Sequence, residues 1–444
     1  MSILWLGLIM ILIGSIVGYF AKSFAGASAG SFNPVSINSG DTSWVLISSA
    51  LVMIMTPAVG FFYGGMVRSK NVVSTIKQTI VILSIVSIQW VLFGYSLVFG
   101  TDTHGLIGGF NFLGLRGVGF APNADYAATI PHSAFMIFQA MFAIITPALI
   151  IGAFAERIKF GTLILFTILW TTFIYDPVAH WVWGIGGWLR GMGALDFAGG
   201  TVVHITAGFS ALAAAILIGK RTGLSKSEGI SANNVPFVLL GTALLWFGWF
   251  GFNAGSALAA NQLAVNAFVV TNIAAAAAAL TWMFMSWHEH KKPSAMATAI
   301  GGVCGLVAIT PASGFVGPIA SIAIGIIGGV VTYLAVYLRG KHIPVDDTLD
   351  VWAAHGMGGV TGAILTGVFA EKVINSAGAN GALFGNIGLV PIQLLAVGAT
   401  ALYSFVGTVI LLKAIGYLSS LRVSVKEEEE GLDMAVHGEI GYRL

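Results

Sequence analysis

Eleven stretches of roughly 20 apolar residues, each long enough to cross the ~30 Å hydrocarbon core of a bilayer, constrain this chain more than any other feature. They run over 44–66, 78–100, 134–154, 160–179, 199–219, 236–256, 262–286, 294–311, 315–338, 353–370 and 392–416. Their length fits helices, because within lipid every backbone polar group must be satisfied inside the segment itself. Only 9% of the 444 residues are charged, against about 25% in soluble domains. That is too little charge to cover a water-facing surface. An all-α integral membrane protein with eleven transmembrane helices is therefore expected.

The basic residues orient it. With the first helix entering from outside, the inside loops hold Arg68, Lys70, Lys77, Arg157, Lys159, Lys220, Arg221, Lys226, Lys291, Lys292, Arg339 and Lys341, and the outside loops hold Arg116, Arg190 and Lys372. This asymmetry predicts an outside N-terminus and an inside C-terminus for the core. Residues 1–29 read as a signal peptide, an apolar run followed by small residues, with a retained extra helix as the alternative. The eleven-helix core then spans 30–416, and 417–444 form an inside tail. The net charge of +2 comes without a basic cluster, so nucleic acid is not an expected partner. The single Cys304 rules out an intramolecular disulfide and a multi-cysteine metal site.

Two segments repeat a pattern. DFAGGTVVHITAG (196–208) and DVWAAHGMGGVTG (350–362) each set an aspartate ahead of a glycine-rich apolar helix carrying a histidine. They lie five helices apart, and an odd offset inverts the second copy in the membrane. This gives repeat A over about 44–219, repeat B over about 236–370, and an eleventh helix over 392–416. Inverted repeats place their site near the midplane between halves. Small residues allow close helix approach, so His204 and His355 are expected to face each other. A lone intramembrane histidine is as readily a packed core residue as a functional one, but a matched pair favours function. A metal site would need a third ligand, and none recurs at that depth. The cluster His288–Glu289–His290 is expected in a solvated inside loop. Asp196 and Asp350 are read as helix caps, with Asp196 also lending a negative field to the outer side. Aromatics gather there: FQAMFA (138–143), HWVWG (180–184) and WFGWFGFNAGS (246–256). Tryptophan belts are common at membrane interfaces, but clustered phenylalanines beside a hydroxyl fit a cation–π site.

These motifs resemble the Amt/Mep/Rh superfamily of ammonium transporters, on the Amt side, from about Asp41 to the C-terminus. The resemblance is carried also by FFYGGMVRSKN (61–71), FQAMFAIITPALIIGAFAERIKF (138–160), DDTLDVWAAHGMGG (346–359) and EEGLDMAVHGEIGY (429–442). It implies a transporter, not an enzyme, with no cofactor. Trp183, Phe142 and Ser256 would recruit ammonium on the outside. Phe142 and Phe252 would form a gate, and His204 and His355 a twin-histidine pore. The resemblance further implies a homotrimer in the plasma membrane and a PII-type protein docking on the tail. In a dry pore an imidazolium is costly, so both rings are expected neutral at rest. An ammonium receptor on the same scaffold is the alternative. It would carry a soluble signalling domain downstream, and about 28 residues follow from Tyr417 here.

Overall fold

The structure, a computed structural model, describes residues 37–223 and 232–442. The expected signal peptide at 1–29 lies outside the described residues. Helices appear at all eleven expected positions: α1 Ser39–Met66, α2 Ser69–Phe99, α3 His132–Phe154, α4 Phe160–Gly191, α5 Gly200–Ile218, α6 Val235–Ala257, α7 Gln262–His290, α8 Ala295–Ile309, α9 Pro318–His342, α10 formed by Trp352–Met357 and Gly358–Phe369, and α11 Leu389–Leu418. Among the described residues, nine are long and apolar enough to cross a membrane, and α8 and α10 are shorter. Two short tail helices follow, α12 Val425–Glu430 and α13 Leu432–His437. A small hairpin, β1 Asp102–Thr103 and β2 Ile107–Gly108, closes the end of α2.

Polar caps set several helix starts. Asn38, Asn234, Asn261 and Ser294 each accept a hydrogen bond from a backbone N–H in the first turn of α1, α6, α7 and α8, which satisfies donors a helix cannot pair internally. Two boundaries differ from expectation. Helix α2 starts at Ser69 instead of near residue 78, so Lys70 and Lys77 ride on its first turns. Helix α7 continues to His290, so the His288–Glu289–His290 cluster sits on its last turn, where cationic groups suit the helix dipole, and not in a loop.

Helix α3 is buried along nearly its whole length and forms the centre. Around it α1 packs along α6 more extensively than any other pair. These are the first helices of the two sequence repeats. Glycine permits the approach: a methyl at Gly241 would stand 2.5 Å from the Phe62 nitrogen. The perimeter is apolar, with Ile88, Phe173, Phe247, Leu402 and Ile410 exposed. Water would not favour such a surface, whereas lipid does.

Candidate functional site

Histidines His204 on α5 and His355 on α10 are both buried, and their Nδ1 atoms are 3.2 Å apart. Their rings stack at 5.3 Å between centroids. One proton can occupy that contact, so with both rings neutral one histidine donates from Nδ1 and the other accepts. The crossing that permits this is made of glycine. A methyl at Gly208 would lie 2.2 Å from the Gly356 nitrogen, and one at Gly359 would lie 2.8 Å from the Gly200 oxygen and 3.1 Å from the His204 Cβ. Each glycine stands four residues after its own helix's histidine. The same relation thus recurs with the helices exchanged. Both histidines also sit in π-helical turns, Gly200–Ile205 and Trp352–Met357. Such turns are rare and concentrate at functional sites.

The helix anchors differ from the expected pair. Asp196 accepts four backbone N–H bonds, Oδ1 from Gly199 and Gly200 at 2.8 and 2.7 Å, and Oδ2 from Thr201 and Val202 at 2.8 and 3.0 Å. Both oxygens are thereby committed to the head of α5. At the head of α10 the cap is Asp347, not Asp350: Asp347 Oδ2 accepts from the Trp352 N–H at 2.8 Å. Asp350 instead has a positive φ of 55° and pairs with Arg339. Asp347 stands eight residues before His355, as Asp196 stands eight before His204. That matched spacing was present in the sequence and is the signal that identifies the counterpart. Burial first, and then the neighbouring Asp350 carboxylate, push the Asp347 pKa up to about 6, against the Trp352 hydrogen bond.

On the side away from the tail, Phe142, Trp183 and Ser256 line one vestibule together with Tyr126, Gln139 and Asp196. The Trp183 indole donates to the Asp196 carbonyl at 3.0 Å, which fixes its ring. Trp183 meets Phe142 edge-on at 5.7 Å. The Ser256 hydroxyl donates to the Phe252 carbonyl at 2.8 Å, which leaves its lone pairs free to accept. Beneath the vestibule Phe142 and Phe252 contact at 4.4 Å, tilted by 46°. The Phe252 ring then lies nearly parallel to that of His204, 5.9 Å away.

Below the phenylalanines a narrow cavity runs past both histidines between Val59, Ile145, Leu149, Leu245 and Val303. It leaves about 10 Å³ for the centre of a water-sized molecule, room for about one such molecule. Two groups there were not singled out from the sequence. Trp249 stacks on His204 at 5.4 Å, its own N–H bonded to Thr310. Tyr63 lines the cavity with its hydroxyl bonded to the Leu149 carbonyl. Trp249 stands one helical turn before Phe252, a spacing that could have marked it. His204 Nε2 has no hydrogen-bond partner among the described residues. His355 also lines a third cavity with Tyr63, Trp282, Thr348 and Asp350, which opens toward the tail face. Vestibule, phenylalanine pair, histidine cavity and tail-side cavity therefore follow one another through the centre of the molecule.

The tail face is held by buried charge. All five Arg157 donors are engaged, with the carbonyls of Ala153, Ala155, Gly219 and Asp346 and with the Thr348 hydroxyl. This one side chain ties the ends of α3 and α5 to the segment leading into α10. Glu428 of α12 accepts from the Thr222 N–H and hydroxyl and from Arg422. Burial pushes its pKa up, but Arg422 and Thr222 outweigh that and hold the carboxyl below the usual range.

A lipid-facing helical shell around a narrow apolar passage with polar groups at its midpoint defines a multi-pass membrane protein of the channel or carrier class. The chain belongs to the Ammonium Transporter Family, whose model matches residues 43–442. It is 49% identical over 404 residues to an ammonium transporter of Bacillus subtilis, covering 91% of this chain and 98% of that one. The solved structure of Candida albicans Mep2 superposes with a TM-score of 0.82 at 36% identity, over 88% of each chain. A solved structure described as a sensor Amt protein superposes with a TM-score of 0.82 at 31% identity, over 90% of this chain and 98% of that chain.

Proposed function

We propose that this protein recruits ammonium in the vestibule, removes a proton from it, and passes ammonia along the histidine cavity. The observation that carries the reading is the Nδ1–Nδ1 contact of His204 and His355 at the midpoint of an otherwise apolar passage. A cation carried through such a passage loses its hydration, at a cost of several kcal/mol even after relaxation. Ammonia avoids most of that cost. Potassium, similar in size and charge to ammonium, has no neutral form.

Recruitment falls to Trp183, Phe142 and Ser256. Aromatic faces attract a cation by about 0.5–2 kcal/mol, and the Ser256 lone pairs accept a bond that ammonium can donate and potassium cannot. The Phe142–Phe252 contact must part for passage, so it acts as a gate. Below it the histidine pair gives a polar rail to ammonia and a path to the separated proton, since a neutral imidazole both donates and accepts. Asp196 serves as an anchor for α5: its four N–H bonds keep His204 in place.

The same reading takes α1–α11 as eleven membrane crossings in the plasma membrane, with the tail inside. It takes the two halves as inverted repeats, the assembly as a homotrimer, and the tail face as the docking site of a PII-type protein. Residues 1–29 would act as the export signal. The receptor reading draws on the likeness to the sensor Amt protein. The continuous line of cavities favours transport, because a receptor needs only the vestibule.

Currents through protein reconstituted in liposomes test the proposal. Ammonium pulses are expected to give a saturable signal and potassium pulses none. Ser256→Ala should raise the half-saturating ammonium concentration, and His355→Glu should let potassium contribute. An equal response of the wild type to both ions would overturn the reading.

A further inference from the structure

Another buried carboxylate lies away from the passage. Asp176 on α4 is fully buried, Gln89 of α2 facing it is buried too, and Gln89 Nε2 donates to Asp176 Oδ2 at 2.8 Å. The remaining oxygen of each group, Asp176 Oδ1 and Gln89 Oε1, has no partner among the described residues. Both residues border π-helical turns: Gln89 directly precedes Trp90–Gly94, and Asp176 directly follows Thr171–Tyr175. Space has been made for the amide, since a methyl at Gly94 would stand 2.5 Å from Gln89 Oε1.

Comparison with Asp196 shows what is missing. There the chain stabilises a buried carboxylate with four N–H bonds. Asp176 receives one hydrogen bond and has no cationic side chain within 4 Å among the described residues. Nearby, the Thr172 hydroxyl donates to the Ile168 carbonyl and lies 3.4 Å from Gln89 Nε2. His180, one turn on, already has both ring nitrogens on Val98 and Asp102. An ionised carboxylate in that setting would be a nearly uncompensated charge, which proteins avoid by neutralising the group. Two orphan acceptors on adjacent groups share one remedy: a single proton between them satisfies both.

We propose that Asp176 is a proton-binding site within the membrane, a carboxylic acid whose O–H is donated from Oδ1 to Gln89 Oε1, closing a two-bond acid–amide ring between the π-turns of α2 and α4. The proton comes from solvent during folding and stays with the pair. A metal ion is the poorer occupant, because two oxygens fall well short of the six or more that calcium takes. The inference does not depend on what the central passage carries.

Infrared difference spectra of the full-length protein in lipid, with isotope-labelled aspartate, read the protonation directly. The wild type at neutral pH is expected to show an isotope-sensitive protonated-carboxyl stretch that shifts in deuterium oxide. Asp176→Asn should lose that band yet retain wild-type thermal stability and transport, because an amide–amide ring makes the same two bonds. The exchange Asp176→Asn with Gln89→Glu should restore a protonated-carboxyl band and keep stability. Gln89→Leu should lower stability. If the labelled wild type shows no such band, or shows one only after sodium and potassium are removed, the site is not protonated as proposed. An Asn variant that unfolds and is not rescued by the exchange would equally overturn it.

Discussion

Helices α5 and α10 carry the two histidines, yet they are held by unequal means. The head of α5 closes on Asp196, which spends both carboxylate oxygens on four consecutive backbone N–H groups. The head of α10 closes on Asp347, which spends one oxygen on one N–H and leaves Oδ1 unpaired among the described residues. Around Asp347 stand Asp350, Arg339 and the Arg157 network that reaches α3 and α5. One half is thus fixed by a self-contained anchor. The other depends on the charged tail face. A repeated motif can conserve the position of a group while changing how firmly it is held.

The largest effect expected from this inequality is at Asp196. Replacement by alanine leaves four buried N–H groups without partners, each costing ~1–3 kcal/mol, so folding yield and transport should both collapse. Asparagine should fare nearly as badly, because its NH₂ would face two N–H donors. At Asp347 the same change is mild, since the NH₂ can take the unpaired side while the oxygen keeps the Trp352 bond. Thermal unfolding of the two Asn variants, compared side by side, tests the asymmetry. Equal losses would remove it.

Next in size is Gly208→Ala. Its methyl would meet the Gly356 backbone at 2.2 Å, where no flexible side chain can yield. Overpacking of this kind costs ~1–3 kcal/mol, and it must also widen the gap between the imidazoles. Transport is expected to fall more than stability does, as measured by flux and unfolding on the same preparation.

A smaller effect is set by pH. The Asp347 pKa, about 6 in the folded protein, lies above the ~3.9 of an unfolded aspartate. The native state therefore binds the proton more tightly. Its contribution is fully present below about pH 3.9 and is lost as pH rises through about 6, a change of ~3 kcal/mol. Asp347→Asn should flatten that part of the stability profile, and an unchanged profile would contradict the assignment. The smallest effect on transport is expected from Glu428→Gln. It weakens the grip of α12 on Thr222 and Arg422, and hydrogen exchange over 425–437 should quicken while flux changes little.

Much of this architecture was legible in the sequence. Long apolar runs leave few options in lipid, so the eleven helical positions followed from hydropathy. The histidine pair followed from two similar segments. Adjacency to its helix points to Asp350 as the second cap, whereas the eight-residue spacing shared by Asp196–His204 and Asp347–His355 names Asp347. The early start of α2 was hidden by Lys70 and Lys77, whose charges break an apolar run without breaking a helix. The four π-turns left no trace in the pattern, since segments that are apolar on every face have no periodicity for an extra residue to shift. Nor could the sequence tell that Arg157 has every donor engaged, because its partners come from three separate stretches of chain.

The central claim is that the contact between His204 and His355 carries the separated proton. Replacing both with leucine fills the passage with apolar groups and leaves Phe142, Trp183, Ser256 and Phe252 above it untouched. Current through the reconstituted double variant under an ammonium gradient is the direct test. The account predicts that ammonium-driven current disappears while ammonium still binds at the vestibule; a wild-type ammonium current through the double-leucine protein would contradict it.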